Sequence, residues 1–216
     1  MNRRTILAAL ATTALAGCVS DDPIDGGNGT DDDQGSGSNR SVDGSVLDQF
    51  DGELARPECE VESETVDVDR GGEPNEYETA ATIPYPDPPD EFDEDDVVEF
   101  VETFENAYVT HDVLCDRRGS GHVLRIGYDV ETSETFDWDD DCSIVFLRRA
   151  GGATWGLDED GGEWVTDLGY SEVVYAVDET GAARATVDDG DASAEEDPES
   201  RAPDPLEDGV LVATFN

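Results

Sequence analysis

Lysine is absent from this chain, and positive charge of any kind is scarce. The 12 basic residues are all arginines and stand against 56 aspartates and glutamates, so the formal net charge is -44. An acidic surface repels nucleic acid and anionic lipid headgroups, which excludes both as binding partners. The acid is spread along the whole chain rather than gathered in one block. We therefore interpret it as a surface suited to concentrated salt, and not as a cation-binding or nucleic-acid-mimicking patch.

The motifs of common catalytic and metal centres are also missing. His111 and His122 are the only histidines, and no CxxC or HxxxH spacing accompanies them, so no zinc site is expected. No cysteine is closely followed by histidine and methionine, which argues against a blue-copper site. The acidic runs at 137–141 and 158–162 lack the ligand spacing of a calcium loop and are interpreted as turns. With no nucleophile and base at a characteristic spacing, no catalytic residue, metal or cofactor is predicted.

No hydrophobic run reaches the roughly 20 residues that a membrane-spanning helix needs. The N-terminus instead has Arg3 and Arg4, a short apolar run and then Leu-Ala-Gly-Cys at 15–18. The first two features are typical of a signal peptide, predicted here as residues 1–17, and the last matches the lipobox of secreted lipoproteins. The paired arginines resemble a twin-arginine export signal, with an ordinary secretory start as the alternative. These features predict lipid attachment at Cys18 and a position on the extracellular face of the cytoplasmic membrane.

Composition divides the mature chain into a tether and one domain. Residues 18–50 are rich in Asp, Gly, Ser and Asn, which predicts a disordered acidic tether behind the lipidated cysteine. The tether contains two sequons, so Asn28 and Asn39 are candidate glycosylation sites. Apolar residues return beyond it, and we predict a single α+β domain at 51–216 with an acidic loop at 188–208.

One amphipathic helix is predicted at 93–109. Asp93 is suited to the N-cap position, and the acids that follow it suit the positive end of the helix dipole. One face of this helix is apolar: Val97, Val101, Phe104 and Tyr108. The opposite face is assigned to solvent and carries Glu99, Glu102, Glu105 and Asn106. This pattern predicts a helix packed on one face of a sheet.

Strands are predicted after the helix, where the hydrophobic period changes to two. Residues 122–130 alternate between apolar and polar side chains, and residues 142–147 are apolar on both faces, as in a central strand. Turn residues at 160–162 and 178–181 predict two hairpins, and residues 210–215 predict a final strand. One helix followed by a curved antiparallel meander is an α+β arrangement.

Three segments resemble a group of twin-arginine-exported haloarchaeal lipoproteins. They are residues 85–89 (Tyr-Pro-Asp-Pro-Pro), the helical stretch 98–108 and residues 204–209 near the end. The resemblance covers about residues 55–216, and the lack of lysine agrees with a halophilic source. It implies no activity. The order of helix and curved sheet is also similar to cystatin-like α+β folds, which is a likeness of architecture and implies no function.

Three cysteines remain once Cys18 carries lipid, and a disulfide is the expected state outside the cell. If strands 122–130 and 142–149 form a hairpin, residue 142 lies opposite residue 130, far from Cys115. Cys59 is therefore expected in the pair, with Cys115 preferred to Cys142 as its partner.

Two functions from different classes fit these observations. The first is a non-catalytic surface module that contacts a surface protein or a small molecule. The second is a secreted hydrolase-type enzyme with a pocket in the concave face of the sheet, where carboxylates act as acid and base. A filled interior favours the module, and a deep pocket with one isolated buried carboxylate favours the enzyme.

We predict that the domain unfolds when molar salt is replaced by dilute buffer. Loss of the signal peptide removes two arginines and no acids, so the net charge changes from -44 to -46. At about 0.01 M salt the Debye length is about 30 Å and all the carboxylates repel one another, whereas at about 1 M it is about 3 Å. Circular dichroism against salt concentration measures the transition. An unchanged spectrum in dilute buffer would contradict this prediction.

Overall fold

The computed structural model describes residues 45–70, 72–117, 121–138, 141–187 and 197–215. All of them belong to the unit Asn39–Asn216. The predicted signal peptide at 1–17, the lipidation site Cys18 and the sequons at Asn28 and Asn39 lie outside the described residues. Among the helices of the described part, none is long and apolar enough to cross a membrane.

The main sheet is antiparallel and has the strand order β3-β4-β6-β7-β8, with the short strand β5 also paired to β4. Strands β1 and β2 form a separate two-stranded sheet. The α+β class predicted from the sequence is confirmed. The elements, in chain order after a 3-10 helix at Val46–Gln49, are β1 (Thr65–Arg70), β2 (Glu73–Glu78), α1 (Glu94–Asp116), β3 (His122–Phe136), β4 (Ser143–Leu157), β5 (Glu163–Val165), β6 (Tyr170–Asp178), β7 (Gly181–Thr186), α2 (Pro198–Arg201) and β8 (Val210–Thr214).

Helix α1 begins as its sequence predicts and continues further. The carboxylate of Asp93 accepts a hydrogen bond from the backbone N–H of Asp96, which satisfies one of the free donors of the first turn. The helix ends at Asp116, seven residues past the predicted end at 109, because buried side chains recur as far as Leu114. The longer helix brings His111 and Cys115 onto the folded core.

One face of the sheet packs against α1. Val97, Val101 and Phe104 of the helix are essentially fully buried, as the apolar stripe predicts. They join a cluster with residues of β4, β6, β7 and β8, and Tyr108 packs at its margin. The sheet residues of this cluster are Val145, Leu147, Val173, Tyr175, Val177, Ala182, Val212 and Ala213. Burial of this apolar surface is the main force that holds the helix in place.

The opposite face of the sheet is covered by two irregular segments. Val46, in the 3-10 helix, and Ala202, just after α2, pack into a cluster with Phe146, Val174 and Leu211. The backbone N–H of Val46 donates to the Asp178 carboxylate at 2.7 Å. The covering segments come from the two regions that the sequence assigned to tether and loop.

Two predicted boundaries therefore change. The folded region begins by Ser45, although the predicted tether runs to residue 50, and the predicted acidic loop at 188–208 contains α2. In both places a few apolar residues anchor a stretch whose average composition is that of a linker. A composition that is averaged over a window of residues does not reveal single apolar residues that pack against the core.

The hairpin of β3 and β4 differs from its predicted register. Residue 130 was expected opposite 142, but Val130 pairs with Arg149 and Phe136 pairs with Ile144. β3 continues to 136 through a polar stretch rich in Thr and Glu, which the sequence analysis left outside the strand. A strand with one solvated face tolerates such residues, so polarity alone did not mark its end.

The β1–β2 hairpin was not predicted. Its turn contains Gly72, whose φ of +89° belongs to the region that glycine adopts most readily. Val66 and Val68 alternate with aspartates in β1, which is the period expected of a half-buried strand. Val68 is buried with Leu124 and Leu157, so this hairpin packs where β3 begins and β4 ends.

Candidate functional site

A buried carboxylate lies between α1 and the sheet. Glu105 is fully buried (0% exposed) and is surrounded by Arg149 of β4, Tyr175 of β6 and Arg184 of β7. The prediction that Glu105 faces solvent was wrong. Glu105 follows Val101 by four residues, so it lies on the same row of the helix that faces the sheet. We call these four residues, Glu105, Arg149, Tyr175 and Arg184, the Glu105 cluster.

Every polar bond in this cluster is short and charge-assisted. Arg149 donates to Oε1 of Glu105 from Nε at 2.9 Å and from Nη2 at 2.6 Å. Arg184 donates from Nε to Oε2 at 2.8 Å and from Nη2 to Oε1 at 3.0 Å. The Tyr175 hydroxyl donates to Oε2 at 2.5 Å. Two arginine forks and a phenol thus saturate one carboxylate.

The arginines have further contacts that fix their orientation. Nη1 of Arg184 donates to the Thr186 hydroxyl at 3.2 Å, and its guanidinium lies 4.2 Å from the centre of the Tyr108 ring. Nη1 of Arg149 donates to the Ser171 hydroxyl at 3.4 Å. A guanidinium bonded on several sides has little freedom to turn toward a ligand.

Burial and charge oppose each other in setting the pKa of Glu105. Burial would raise this pKa, but Arg184 and then Arg149, with the Tyr175 hydrogen bond, lower it below its ordinary value of 4.5. Burial, followed by the charge of Glu105, raises the pKa of Tyr175 well above 10.0. Burial would also lower the pKa of Arg184, but Glu105 outweighs it and raises that pKa. The cluster therefore holds an ionised carboxylate, a neutral phenol and charged arginines at neutral pH.

Strand register brings the arginines together. Tyr175 lies directly opposite Arg184 in the β6–β7 pair, and Arg149 lies opposite Ser171 in the β4–β6 pair. All four of these strand positions project toward α1. The sequence contains one signal for this arrangement, since Arg184 lies in an alanine-rich strand and Arg149 closely follows the apolar run 144–147. An arginine at such a position needs a buried acid as its partner.

This geometry does not provide acid–base chemistry. A general acid or base must exchange a proton with a substrate within hydrogen-bond reach, whereas each oxygen of Glu105 is already occupied by donors of this chain. Three clefts of the described surface are lined by residues that include Pro86 and Thr103, Glu131 and Arg201, and Glu60 and Val123, and none of the four cluster residues lines any of these three. The cluster is a structural centre.

A second ion cluster lies on the opposite face of the sheet. Glu172 of β6 accepts from Nη1 of Arg148 at 3.1 Å and from Nη2 of Arg201 at 2.9 Å, and Arg201 Nη1 also contacts this carboxylate. Arg148 pairs in addition with Glu131 at 2.5 Å. Because Arg201 belongs to α2, this cluster holds the covering segment on the sheet.

The cysteine site joins the C-terminal end of α1 to the segment before β1. Cys59 and Cys115 form a disulfide, with an S–S distance of 2.07 Å, which is the pairing that the sequence analysis preferred. The register used to reach that preference was wrong, but with β3 extended to 136 Cys142 lies still farther along the hairpin. Cys142 packs beside the cluster on the second face of the sheet.

His111 lies beside this disulfide. A ring nitrogen of His111 and the sulfurs of Cys59 and Cys115 all lie within 4.8 Å of one another. His111 is 8% exposed. Its ring stacks on that of Tyr85 at a centroid distance of 4.7 Å, and its Nε2 lies 2.9 Å from the Ile83 carbonyl oxygen. The sequence analysis expected no metal site, because no CxxC or HxxxH spacing accompanies the histidines, although His111 is close in sequence to Cys115.

His122 and the acidic run at 158–162 have local roles in the structure. Nδ1 of His122 lies 3.1 Å from the Glu64 carboxylate at the surface. Oδ1 of Asp158 accepts from the backbone N–H of Gly162 at 2.6 Å and of Asp160 at 3.1 Å. The run at 158–162 is thus a turn held by its own first aspartate.

We predict that Glu105→Gln destabilises the domain by roughly 3–5 kcal/mol, because two buried guanidinium groups lose their counter-charge. Chemical denaturation in molar salt measures the change in the free energy of unfolding. The matched control is Glu99→Gln, the same substitution on the exposed side of the same helix, which should stay within about 0.5 kcal/mol of the parent. Equal stabilities of the two variants would contradict the central role of the cluster.

The position of this chain among known proteins comes from comparison of its sequence and fold. No family model matches the sequence, and neither a curated protein nor a solved structure matches the chain. Any function assigned to it therefore rests on its own residues and their contacts.

Proposed function

We propose that this chain is a lipid-anchored cell-surface protein of a halophile, and that its domain is a non-catalytic binding or structural module. In this proposal Cys18 carries the lipid and holds the domain on the extracellular face of the cytoplasmic membrane. The observation that supports the non-catalytic role is the filled space beneath α1, where the Glu105 cluster takes the place that an active-site pocket would need.

The hydrolase alternative requires an accessible carboxylate with a perturbed, elevated pKa. Asp112, on the exposed side of α1, has a pKa raised by partial burial and then by the charge of Asp116, but it lies outside any enclosed site of the described residues. The fully buried carboxylate of Glu105 has a lowered pKa instead. The second face of the sheet is covered by the 3-10 helix and by the segment around Ala202. The Glu105 cluster thus fills the space on one face of the sheet and these segments cover the other, which favours the module.

A partner must then meet the outer surface of the domain. That surface is strongly acidic, since the chain carries 56 acids and four of its 12 arginines pair with Glu105 and Glu172 inside. In molar salt, long-range attraction to a basic partner is screened to a few ångströms, so recognition depends on close contact. We propose another cell-surface protein as the partner, with a small molecule as the alternative.

The anchor is tested with Cys18→Ser. The thiol that would accept the lipid is then missing, so we expect the protein to leave the detergent phase and enter the aqueous phase in a detergent partition of cells. Cys142→Ser is the matched control, because it removes a thiol of the folded domain and should partition as the parent does. A detergent-phase fraction equal to that of the parent in Cys18→Ser would refute the lipoprotein assignment.

The module role is tested by cross-linking on intact cells in their growth salt. Because the chain has no lysine, amine-reactive linkers cannot join its side chains. A carbodiimide is the suitable reagent, since it couples carboxylates of this chain to amines of a neighbour. We expect a discrete adduct of higher mass that contains a second surface protein, and no such adduct with an amine-to-amine linker.

Hydrolytic activity of the purified protein in molar salt, dependent on a residue of the chain, would overturn the non-catalytic assignment.

A further inference from the structure

We infer that Cys59, Cys115 and His111 form a binding site for zinc or a similar divalent cation when their disulfide is reduced, and that the disulfide closes this site. The inference goes beyond the proposed function, because it requires neither a partner nor the lipid anchor. Two thiolates and one imidazole are a donor set that zinc accepts, with the fourth position left to water or a carboxylate.

The first observation is the spacing of the donor atoms. The two sulfurs and a ring nitrogen of His111 already lie within 4.8 Å of one another. Zinc–sulfur bonds of about 2.3 Å and zinc–nitrogen bonds of about 2.0 Å need donor atoms of that order of separation. The sulfurs separate once their bond is broken, while the Cα atoms of the two cysteines are 5.8 Å apart.

The second observation is the state of the imidazole. Its Nε2 lies 2.9 Å from the Ile83 carbonyl oxygen, which only accepts, so Nε2 carries the proton. Nδ1 then presents a lone pair, and it is buried without a hydrogen-bond partner among the described residues. A buried acceptor without a donor is costly in a folded protein and calls for an explanation. Metal-binding histidines have this same arrangement, in which a backbone carbonyl holds the second ring nitrogen.

The third observation is access from solvent. A surface cleft is lined by Cys59, His111 and Tyr85 together with Glu58 and Glu60. Glu58 is paired with Arg56 at 3.2 Å, and Glu60 adds a second carboxylate at this cleft, which admits a water molecule as fourth ligand. The stacked ring of Tyr85 keeps the imidazole plane fixed.

A dithiol can reduce the disulfide and thereby open the site. Two electrons pass to the Cys59–Cys115 bond, which breaks, while the dithiol becomes a disulfide and supplies two protons to the new thiols. The divalent cation then displaces those two protons as it binds both thiolates, and His111 contributes a neutral lone pair without losing a proton.

Cobalt(II) is the probe, because thiolate coordination gives an intense sulfur-to-cobalt charge-transfer band that carboxylate coordination does not. The full mature chain is used in molar salt with Cys18→Ser and Cys142→Ser, so that Cys59 and Cys115 are the only thiols. We expect a band that saturates at one cobalt per chain after reduction with a phosphine, and no band before reduction. Zinc should displace cobalt and abolish the band.

His111→Gln and His122→Gln are the paired variants. The glutamine amide introduced by His111→Gln can still donate to the Ile83 carbonyl, so the fold is preserved, and circular dichroism checks this. We expect His111→Gln to weaken cobalt binding at least tenfold and His122→Gln to leave it unchanged. The site is refuted if the reduced chain gives no band, or if His111→Gln binds as tightly as the parent. The His111 comparison holds even if reduction loosens the fold, because two thiols in an unfolded chain bind without regard to His111.

Discussion

The charge of Glu105 is the constraint on which the rest of the domain depends. An ionised carboxylate can be buried only where nearby groups replace the water that it loses, and here two guanidinium groups and a phenol do so. These donors come from three different strands, so the helix can dock only when β4, β6 and β7 are paired in register. The apolar contacts of Val101 and Phe104 supply stabilisation without direction, whereas the cluster specifies one position of α1 on the sheet. Its electrostatic contribution is complete above the ordinary carboxylate pKa and is lost as the pH falls through the lowered one.

Positive charge is scarce in this chain, and four of its arginines form buried ion pairs on the two faces of the sheet. Arg149 and Arg184 bind Glu105 beneath α1, and Arg148 and Arg201 bind Glu172 beneath α2. Adjacent residues of β4 point to opposite faces, so the Arg148-Arg149 pair serves one cluster on each side. In a chain without lysine, arginine is suited to these places, because its planar fork binds a carboxylate through two bonds at once. These four arginines therefore hold the layers of the domain together.

The sequence was sufficient for the class of the fold but not for its centre. The N-cap at Asp93, the apolar stripe of α1 and the hairpins at 160–162 and 178–181 follow local rules, and the structure has them. Glu105 could not be placed in the same way, because a glutamate on a helix is solvent-exposed unless distant strands supply its partners. The register of β3 and β4 and the anchor at Val46 likewise depend on contacts far away in sequence. The Cys59–Cys115 pair was preferred by an argument whose premise was wrong, and the proximity of His111 needed the true length of α1.

Salt acts differently on the two kinds of charge in this molecule. Carboxylates at the surface repel one another through solvent, where molar salt shortens the range to about 3 Å. The Glu105 cluster is almost entirely buried, so ions screen its attractions much less. High salt therefore removes most of the repulsion that opposes folding while it leaves the buried attractions in place. An interior held by a few saturated arginine–glutamate bonds is in this way compatible with an exterior that carries almost no positive charge, and the predicted requirement for salt belongs to the surface alone.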